Sequence, residues 1–181
     1  MDRDRGRTLI ELLLALALVG LLAGVGLPLL GRGSEAARLR LAAASFGEEL
    51  RRSFVHAIVR SQRVVLCPAG AGEPARCGEG RDFGTGWLAF VDADRDRERA
   101  PDETLLWRAG PATGGIRILS NEGRPRIVIQ PDGGNRGTNA TFVLCGRHGW
   151  RTARSVVLSN DGRIRHDRPS PQQLAERCGA R

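Results

Sequence analysis

Residues 5–20 read RGRTLIELLLALALVG, and this stretch decides the fold of the chain. A membrane-length apolar run begins at Leu9, yet the carboxylate of Glu11 lies two residues inside it. Residues 12–30 carry no charge, and a helix of that length at about 1.5 Å per residue covers about 28 Å, enough for a bilayer core. An acidic side chain at the edge of such a segment needs a partner there.

The flank before the apolar run is short and charged. It reads MDRDRG and ends in Gly6. A secretory signal peptide would have a shorter apolar stretch followed by a small-residue cleavage site, whereas this run continues into a further helical pattern. We therefore expect the apolar helix to be retained and only the polar tip to be removed.

The residues Gly6-Arg-Thr-Leu-Ile-Glu-Leu-Leu13 resemble the type IV prepilin signature. The resemblance implies a leader over residues 1–6, cut by a prepilin peptidase between Gly6 and Arg7. It also implies that Glu11 pairs with the N-terminal amine of a neighbouring subunit during assembly. Arg7 stands where the family has Phe, so the usual N-methylation is left open. The alternative for this segment is an ordinary transmembrane anchor.

The long helix is expected to have two halves. Residues 7–30 form the transmembrane and assembly half, in which Gly20, Gly24, Gly26 and Pro28 weaken the helix. Residues 31–61 form an amphipathic half that Ser34 is predicted to cap. Its apolar stripe recurs at three- and four-residue steps: Leu39, Ala43, Phe46, Leu50, Phe54, Ala57 and Ile58.

From residue 62 the hydrophobic period becomes two, which predicts strands joined by short turns. The predicted strands are 62–67, 85–91, 104–108, 115–119, 126–130, 140–145 and 154–159. Together with the leader and the helix-end segment SFVHAIVRSQRVVLC, the stretches LCPAG...C, GWLAFVDAD, FVLC and VVLSNDGRIR resemble the FimT/GspH minor pilins, FimT most closely. The resemblance implies an α+β pilin fold, in which the helix packs on an antiparallel β-rich head over 62–181. It also implies a periplasmic head on an inner-membrane anchor, and assembly with other pilins into a pilus or pseudopilus.

Four cysteines behind an export-type segment predict disulfides in an oxidising compartment. Neighbouring pairing gives Cys67–Cys77 across a Gly/Pro/Ala loop and Cys145–Cys178 across the C-terminal tail. A zinc site that uses Cys145 and His148 is the competing interpretation.

The amino-acid composition excludes several classes of function. The net charge is +8, and all 28 basic residues are arginine. Without lysine, a Walker A phosphate site and a Schiff base are excluded. Serine-hydrolase and zinc-protease motifs are absent from the sequence. We expect no enzyme and no cofactor, and a basic surface suited to nucleic acid, anionic lipid or acidic partners.

Residues 92–103 are acidic, and their acids fall at alternate positions. Asp92, Asp94, Asp96 and Glu98 form a weak candidate set for Ca²⁺. The turn glycine of a calcium loop is missing and arginines interleave, so a solvated hairpin tip is the preferred interpretation.

The tract from Arg117 to Arg168 holds ten arginines against four acids, a net +6. In extended backbone, Arg163 and Arg165 share one face, about 6.6–7 Å apart, close to the phosphate spacing of a nucleic-acid strand. The run Gly162-Arg-Ile-Arg165 resembles the DNA-binding motif of FimT-type pilins, and Gly123-Arg-Pro-Arg126 also fits it. Flanking arginines widen the predicted patch: Arg147, Arg151, Arg154 and Arg168. An edge strand whose charges only prevent aggregation is the alternative.

Two functions follow from these patterns. The first is a minor pilin that binds double-stranded DNA for natural transformation. The second is a structural minor pseudopilin of a pilus or a type II secretion filament with no DNA role. The sequence does not decide which filament the chain joins.

Overall fold

The computed structural model describes residues 9–73, 75–135, 137, 139–147 and 149–179, without the side chains of residues 22–33 and 149. The leader, the predicted cleavage site at Gly6 and Arg7, and His148 lie outside the described residues. For Gly24, Gly26 and Pro28, only the helical backbone is described.

One helix, α1 (Leu9–Arg60), forms the axis of the molecule. The prediction that Ser34 caps a second helix is wrong, because the helical backbone runs through Ser34 without a break. Among the described residues, no helix is both long enough and apolar enough to cross a membrane. The predicted membrane segment extends into residues 22–30, whose side chains are not described.

The second half of α1 buries the predicted stripe. Six of its seven members are buried: Leu39, Ala43, Phe46, Leu50, Phe54 and Ala57. The prediction for Ile58 is wrong, since its side chain is 52% exposed. Successive helical residues are about 100° apart, so Ala57 ends the buried face and Ile58 is turned away from it.

Two antiparallel sheets form the head. The strands are β1 (Val64–Pro68), β2 (Trp87–Val91), β3 (Leu105–Ala109), β4 (Arg117–Leu119), β5 (Ile127–Ile129), β6 (Ala140–Gly146), β7 (Gly149–Leu158) and β8 (Ile164–Asp167). The first sheet has the order β3-β2-β1-β5 and the second β4-β6-β7-β8. The predicted long helix on an antiparallel head is confirmed. Strand β8 was not predicted as a separate strand, because it contains a single apolar residue, Ile164, which is partly buried.

Aromatic packing joins the helix to the head. The ring of Phe46 meets Phe83, Trp87 and Phe142 edge to face, with centroids 5.8, 5.1 and 4.7 Å away. Edge-to-face pairs stabilise beyond the area they bury. Replacing the fully buried Phe46 by alanine would cost about 3–5 kcal/mol.

Both predicted disulfides are present, Cys67–Cys77 and Cys145–Cys178. The zinc alternative is wrong, because the Cys145 sulfur is bonded to Cys178 and has no thiolate to offer a metal. The tail also contains an unpredicted helix, α2 (Pro171–Cys178). Ser170 caps it, and Gln173 reaches back to the Ser170 amide to complete a capping box.

Candidate nucleic-acid interface

The run Gly162–Arg165 lies at the free edge of the second sheet. Ser159, Asn160, Asp161 and Gly162 form the turn between β7 and β8, and Gly162 has a φ of +76°. A Cβ at Gly162 would lie 2.8 Å from the Gly133 carbonyl oxygen, so only glycine fits this turn. Gly162 therefore positions the arginines that follow it.

The two arginines of this run share the outer face of the sheet. Ile164 packs against the core, and His166 lies against Gly47 of α1. Side chains alternate along a strand, so Arg165 faces away from the helix, and continuing the alternation to the residue just before β8 places Arg163 on the same side. Both are exposed to solvent.

The charge at this edge is only partly compensated. The Arg163 side chain is 69% exposed, and its Nη2 lies 3.1 Å from Asp161 Oδ2. Hydrogen bonds from the Ser159 hydroxyl and from Arg163 lower the pKa of the Asp161 carboxyl to about 2. Asp161 is therefore ionised at neutral pH. Arg165 forms no ion pair with any residue in the described parts of the chain, so its charge is available to an outside ligand.

A basic cleft lies beside the edge, between α1 and the second sheet. It has a volume of about 510 Å³, and Arg40, Arg154, His166 and Arg168 line it together with Asp167. Burial lowers the pKa of the Arg154 guanidinium, and the charges of Arg40 and Arg168 lower it further. Three like charges with one acid among them make the cleft attractive to an anion.

Arg147 and Arg151 lie at the opposite end of β7. The hairpin joining β6 and β7 pairs Gly146 with Gly149, whereas Leu158 at the far end of β7 pairs with Ile164. Arg151 and Leu158 are seven positions apart along the strand, which corresponds to a distance of about 23 Å. The structure thus divides the predicted patch: Arg154 and Arg168 adjoin the edge, and the hairpin arginines do not.

The competing run, Gly123–Arg126, is tied into the protein. The Arg126 side chain is only 14% exposed, and its Nη2 lies 2.6 Å from Glu98 Oε1. Its Nη1 donates to the Gly78 carbonyl oxygen at 3.0 Å. These contacts engage the guanidinium that a phosphate would need, which favours Gly162–Arg165 as the ligand-binding run.

The acidic loop brings together part of the predicted calcium set. Asp92, Asp94 and Asp96 offer carboxylate oxygens within 4.8 Å of one another. Glu98 pairs with Arg126 instead, and Asp92 Oδ2 lies 3.0 Å from Arg63 Nε. Burial raises the pKa of the Asp92 carboxyl, while Arg63 acts in the opposite direction. Two members of the set are thus already paired with arginines.

Comparison with known proteins identifies the family. Residues 31–162, more than half of the chain, match type II transport protein GspH. The chain belongs to the GspH family. Residues 1–27 of this GspH-family chain match the prokaryotic N-terminal methylation motif. The predicted FimT/GspH resemblance is confirmed at this level, and the closer likeness to FimT stays a prediction.

Relatives agree with this assignment. The pilin-like protein PilA1 of Thermus thermophilus is 38% identical over 169 residues, which cover 89% of this chain and 97% of that protein. The crystal structure of the type IV minor pilin FimU of Pseudomonas aeruginosa superposes with a TM-score of 0.61 at 16% identity, covering 78% of this chain and 98% of FimU. A second crystal form of FimU gives a TM-score of 0.57 at 17% identity, covering 75% of this chain and 99% of FimU. The GspH-family chain is therefore a pilin-like protein with the type IV pilin fold.

Two side chains of this GspH-family chain were not among the predicted site residues. Arg40 was noted only as a residue beside the apolar stripe, and its closeness to Arg154 and Arg168 depends on how the sheet packs on α1. Trp150 was not singled out, although it is the only tryptophan flanked by a run of basic residues, R-H-G-W-R. That pattern in a hairpin could have indicated an exposed aromatic side chain.

Proposed function

We propose that this chain is a minor type IV pilin that binds double-stranded DNA without sequence preference and serves DNA uptake. The observation that carries the proposal is the edge strand β8, which carries the exposed Arg165 and directly follows the exposed Arg163. Arg154, on the neighbouring strand, and Arg168 both line the basic cleft beside this edge.

The spacing and charge of this edge suit a phosphate backbone. Arginines two residues apart on a strand lie about 6.6–7 Å apart, near the spacing of successive phosphates. Contacts to phosphates fix position and add affinity but do not read sequence. A few such contacts give a Kd on the order of 10⁻⁴–10⁻⁶ M at physiological salt.

The same proposal includes processing and anchoring. A prepilin peptidase removes residues 1–6, residues 7–30 hold the chain in the inner membrane, and the head lies in the periplasm before assembly with other pilins. The match to the N-terminal methylation motif and the uncharged run 12–30 support this arrangement. Glu11 then pairs with the N-terminal amine of a neighbouring subunit, and each charge offsets the burial of the other.

The DNA role is tested with the double variant Arg163→Gln/Arg165→Gln in the full-length chain in neutral detergent. The matched control, Arg147→Gln/Arg151→Gln, removes the same charge at the other end of β7. We expect the edge variant to bind a labelled duplex at least about tenfold more weakly in a gel shift, and to flatten the log–log salt slope by nearly 2. The control should lose much less.

The outcomes separate function from site. An equal loss in both variants would move the site away from β8 but keep DNA binding. A wild-type chain that binds no duplex at low salt would refute the DNA role. The structural pseudopilin would then stand as the function, a candidate that the GspH match over residues 31–162 favours.

Processing and assembly have separate tests. Mass spectrometry of the membrane-extracted chain should find a new N-terminus at Arg7. An N-terminus at Met1, or a cut beyond the apolar run, would contradict the prepilin assignment. Glu11→Val should insert into the membrane as well as wild type but fail to enter filaments, because the amine of the neighbouring subunit loses its partner. Normal incorporation would exclude the pairing role.

A further inference from the structure

Trp150 is a large aromatic side chain left open to solvent. It is 49% exposed, whereas Trp87 is 6% exposed within the core. The guanidinium of Arg151 lies over the Trp150 ring, 5.4 Å from its centre. Arg147, at the tip of the same hairpin, is also exposed. The hairpin thus carries an exposed aromatic ring with one guanidinium over it and a second exposed arginine at its tip.

This hairpin lies where α1 leaves the head. Gly146 contacts Glu35, and Arg147 shares a small cavity of about 140 Å³ with Glu35 and Arg38. Glu35 is buried, whereas every described side chain earlier in the helix, residues 9–21 and Ser34, is exposed. The β6–β7 hairpin is therefore the end of the head nearest the apolar segment.

The helix sets the height of the hairpin above a bilayer. The uncharged run ends at Leu30, and Glu35 lies five residues further on, about 7.5 Å along the helix axis. The polar layer on each side of a bilayer core is about 5–7.5 Å thick. With residues 12–30 across the core, Glu35 and the hairpin residue Gly146 beside it lie at the outer limit of this headgroup layer.

We propose that the hairpin around Trp150 contacts anionic lipid headgroups while the subunit is anchored in the membrane, before assembly. Tryptophan concentrates at this level, where its ring is half in apolar and half in polar surroundings. Arg151 and Arg147 meet lipid phosphates there, as juxtamembrane basic residues do. The inference rests on the proposed membrane anchoring and is independent of DNA binding, whose proposed edge lies about 23 Å away along β7.

The test is tryptophan quenching in the full-length chain, reconstituted into vesicles of phosphatidylcholine and phosphatidylglycerol. One set of lipids carries bromine near the top of the acyl chains, and another carries it near the chain ends. Trp107 cannot confuse the signal, because it stacks with Arg52 of α1, about 25 Å along the helix from Glu35. Trp87 is in the core. Subtracting the emission of Trp150→Phe isolates Trp150.

We expect Trp150 to be quenched at least about twice as strongly by the shallow bromine as by the deep bromine. Aqueous acrylamide should quench it less in vesicles than in detergent. The edge variant Arg163→Gln/Arg165→Gln should leave this signal unchanged. Arg151→Gln should weaken the shallow quenching in vesicles that contain phosphatidylglycerol, and less in vesicles without it.

Other outcomes overturn the proposal. A chain that floats with the vesicles, but whose total tryptophan emission before subtraction is quenched by neither bromine, would exclude the hairpin contact. The anchoring would then stand. A chain that does not float would refute the anchoring itself. Quenching by added duplex DNA in place of lipid bromine would assign the hairpin to nucleic acid.

Discussion

The runs Gly123–Arg126 and Gly162–Arg165 share the pattern Gly-Arg-x-Arg, and each begins with glycine at positive φ. In the first, the last arginine is 14% exposed and contacts Glu98 and the Gly78 carbonyl. In the second, the last arginine is exposed on an edge strand. A short motif therefore does not carry a binding function by itself. Its partners decide whether the guanidinium stabilises the fold or stays available to a ligand.

The largest effects in this comparison should come from removing the bridge near each run, since Cys77 precedes Gly78, which accepts from Arg126, and Cys178 follows β8. Cys145→Ser/Cys178→Ser opens a loop with a sequence separation of 33, and Cys67→Ser/Cys77→Ser one of 10. Loop entropy predicts losses of about 3.7 and about 2.7 kcal/mol in the free energy of unfolding. Denaturant unfolding measures both. A larger loss for the shorter loop would mean that strain or local packing, not chain entropy, sets the difference.

An intermediate effect should separate the two arginines directly. Arg126→Gln removes charged hydrogen bonds to Glu98 and Gly78, and should cost about 1.5–3 kcal/mol in the free energy of unfolding. Arg165→Gln should stay within about 0.5 kcal/mol of wild type, as exposed substitutions do. Thermal unfolding followed by circular dichroism measures both. If the two variants were equally stable, the proposed difference in structural role between Arg126 and Arg165 would be wrong.

The smallest effect concerns Asp161, which pairs with Arg163, whereas the acid at the same place in the other run, Glu122, pairs with Arg81. Asp161→Asn keeps the turn geometry but releases Arg163 and removes a negative charge from the edge. Duplex affinity should rise about two- to threefold, in keeping with the weak coupling of exposed ion pairs. Glu122→Gln, which removes an acid beside Gly123, is the matched control and should leave affinity unchanged. A gel shift at constant salt compares them.

Much of this fold could be predicted from the sequence. Apolar residues at helical spacing indicated the buried face of α1, and alternation indicated the strands. The spacing of the cysteines gave both bridges. Helix α2 was missed, although the run Ser170-Pro-Gln-Gln173 carries its start signal, because the tail has little apolar content. Ile58 was wrongly predicted to be buried, because the spacing of apolar residues along a helix does not show where the sheet stops covering that helix.

The site was less predictable because it depends on contacts between distant residues. Arg126 and Glu98 are 28 positions apart, and spacing within the motif gives no sign of their pairing. The predicted patch counted Arg147 and Arg151 with Arg163, since all belong to one basic tract. Strand β7 separates them, because an extended strand carries its two ends to opposite poles of the head.

The bridge between Cys145 and Cys178 has a mechanical consequence for the edge that is proposed to hold DNA. Strand β8 is joined to β7 by the turn before it and to β6 by the sulfur bond after it. A ligand that pulls on Arg163 or Arg165 strains the four residue pairs between β7 and β8 and the contacts of Ile164 and His166 with the core and with α1. If those contacts part, the stretch between Leu158 and Cys178 can reach an end-to-end length of no more than about 70 Å before the covalent bond stops it. The tension then passes to β6 and β7, and from there to α1, so the edge yields without the head being pulled apart.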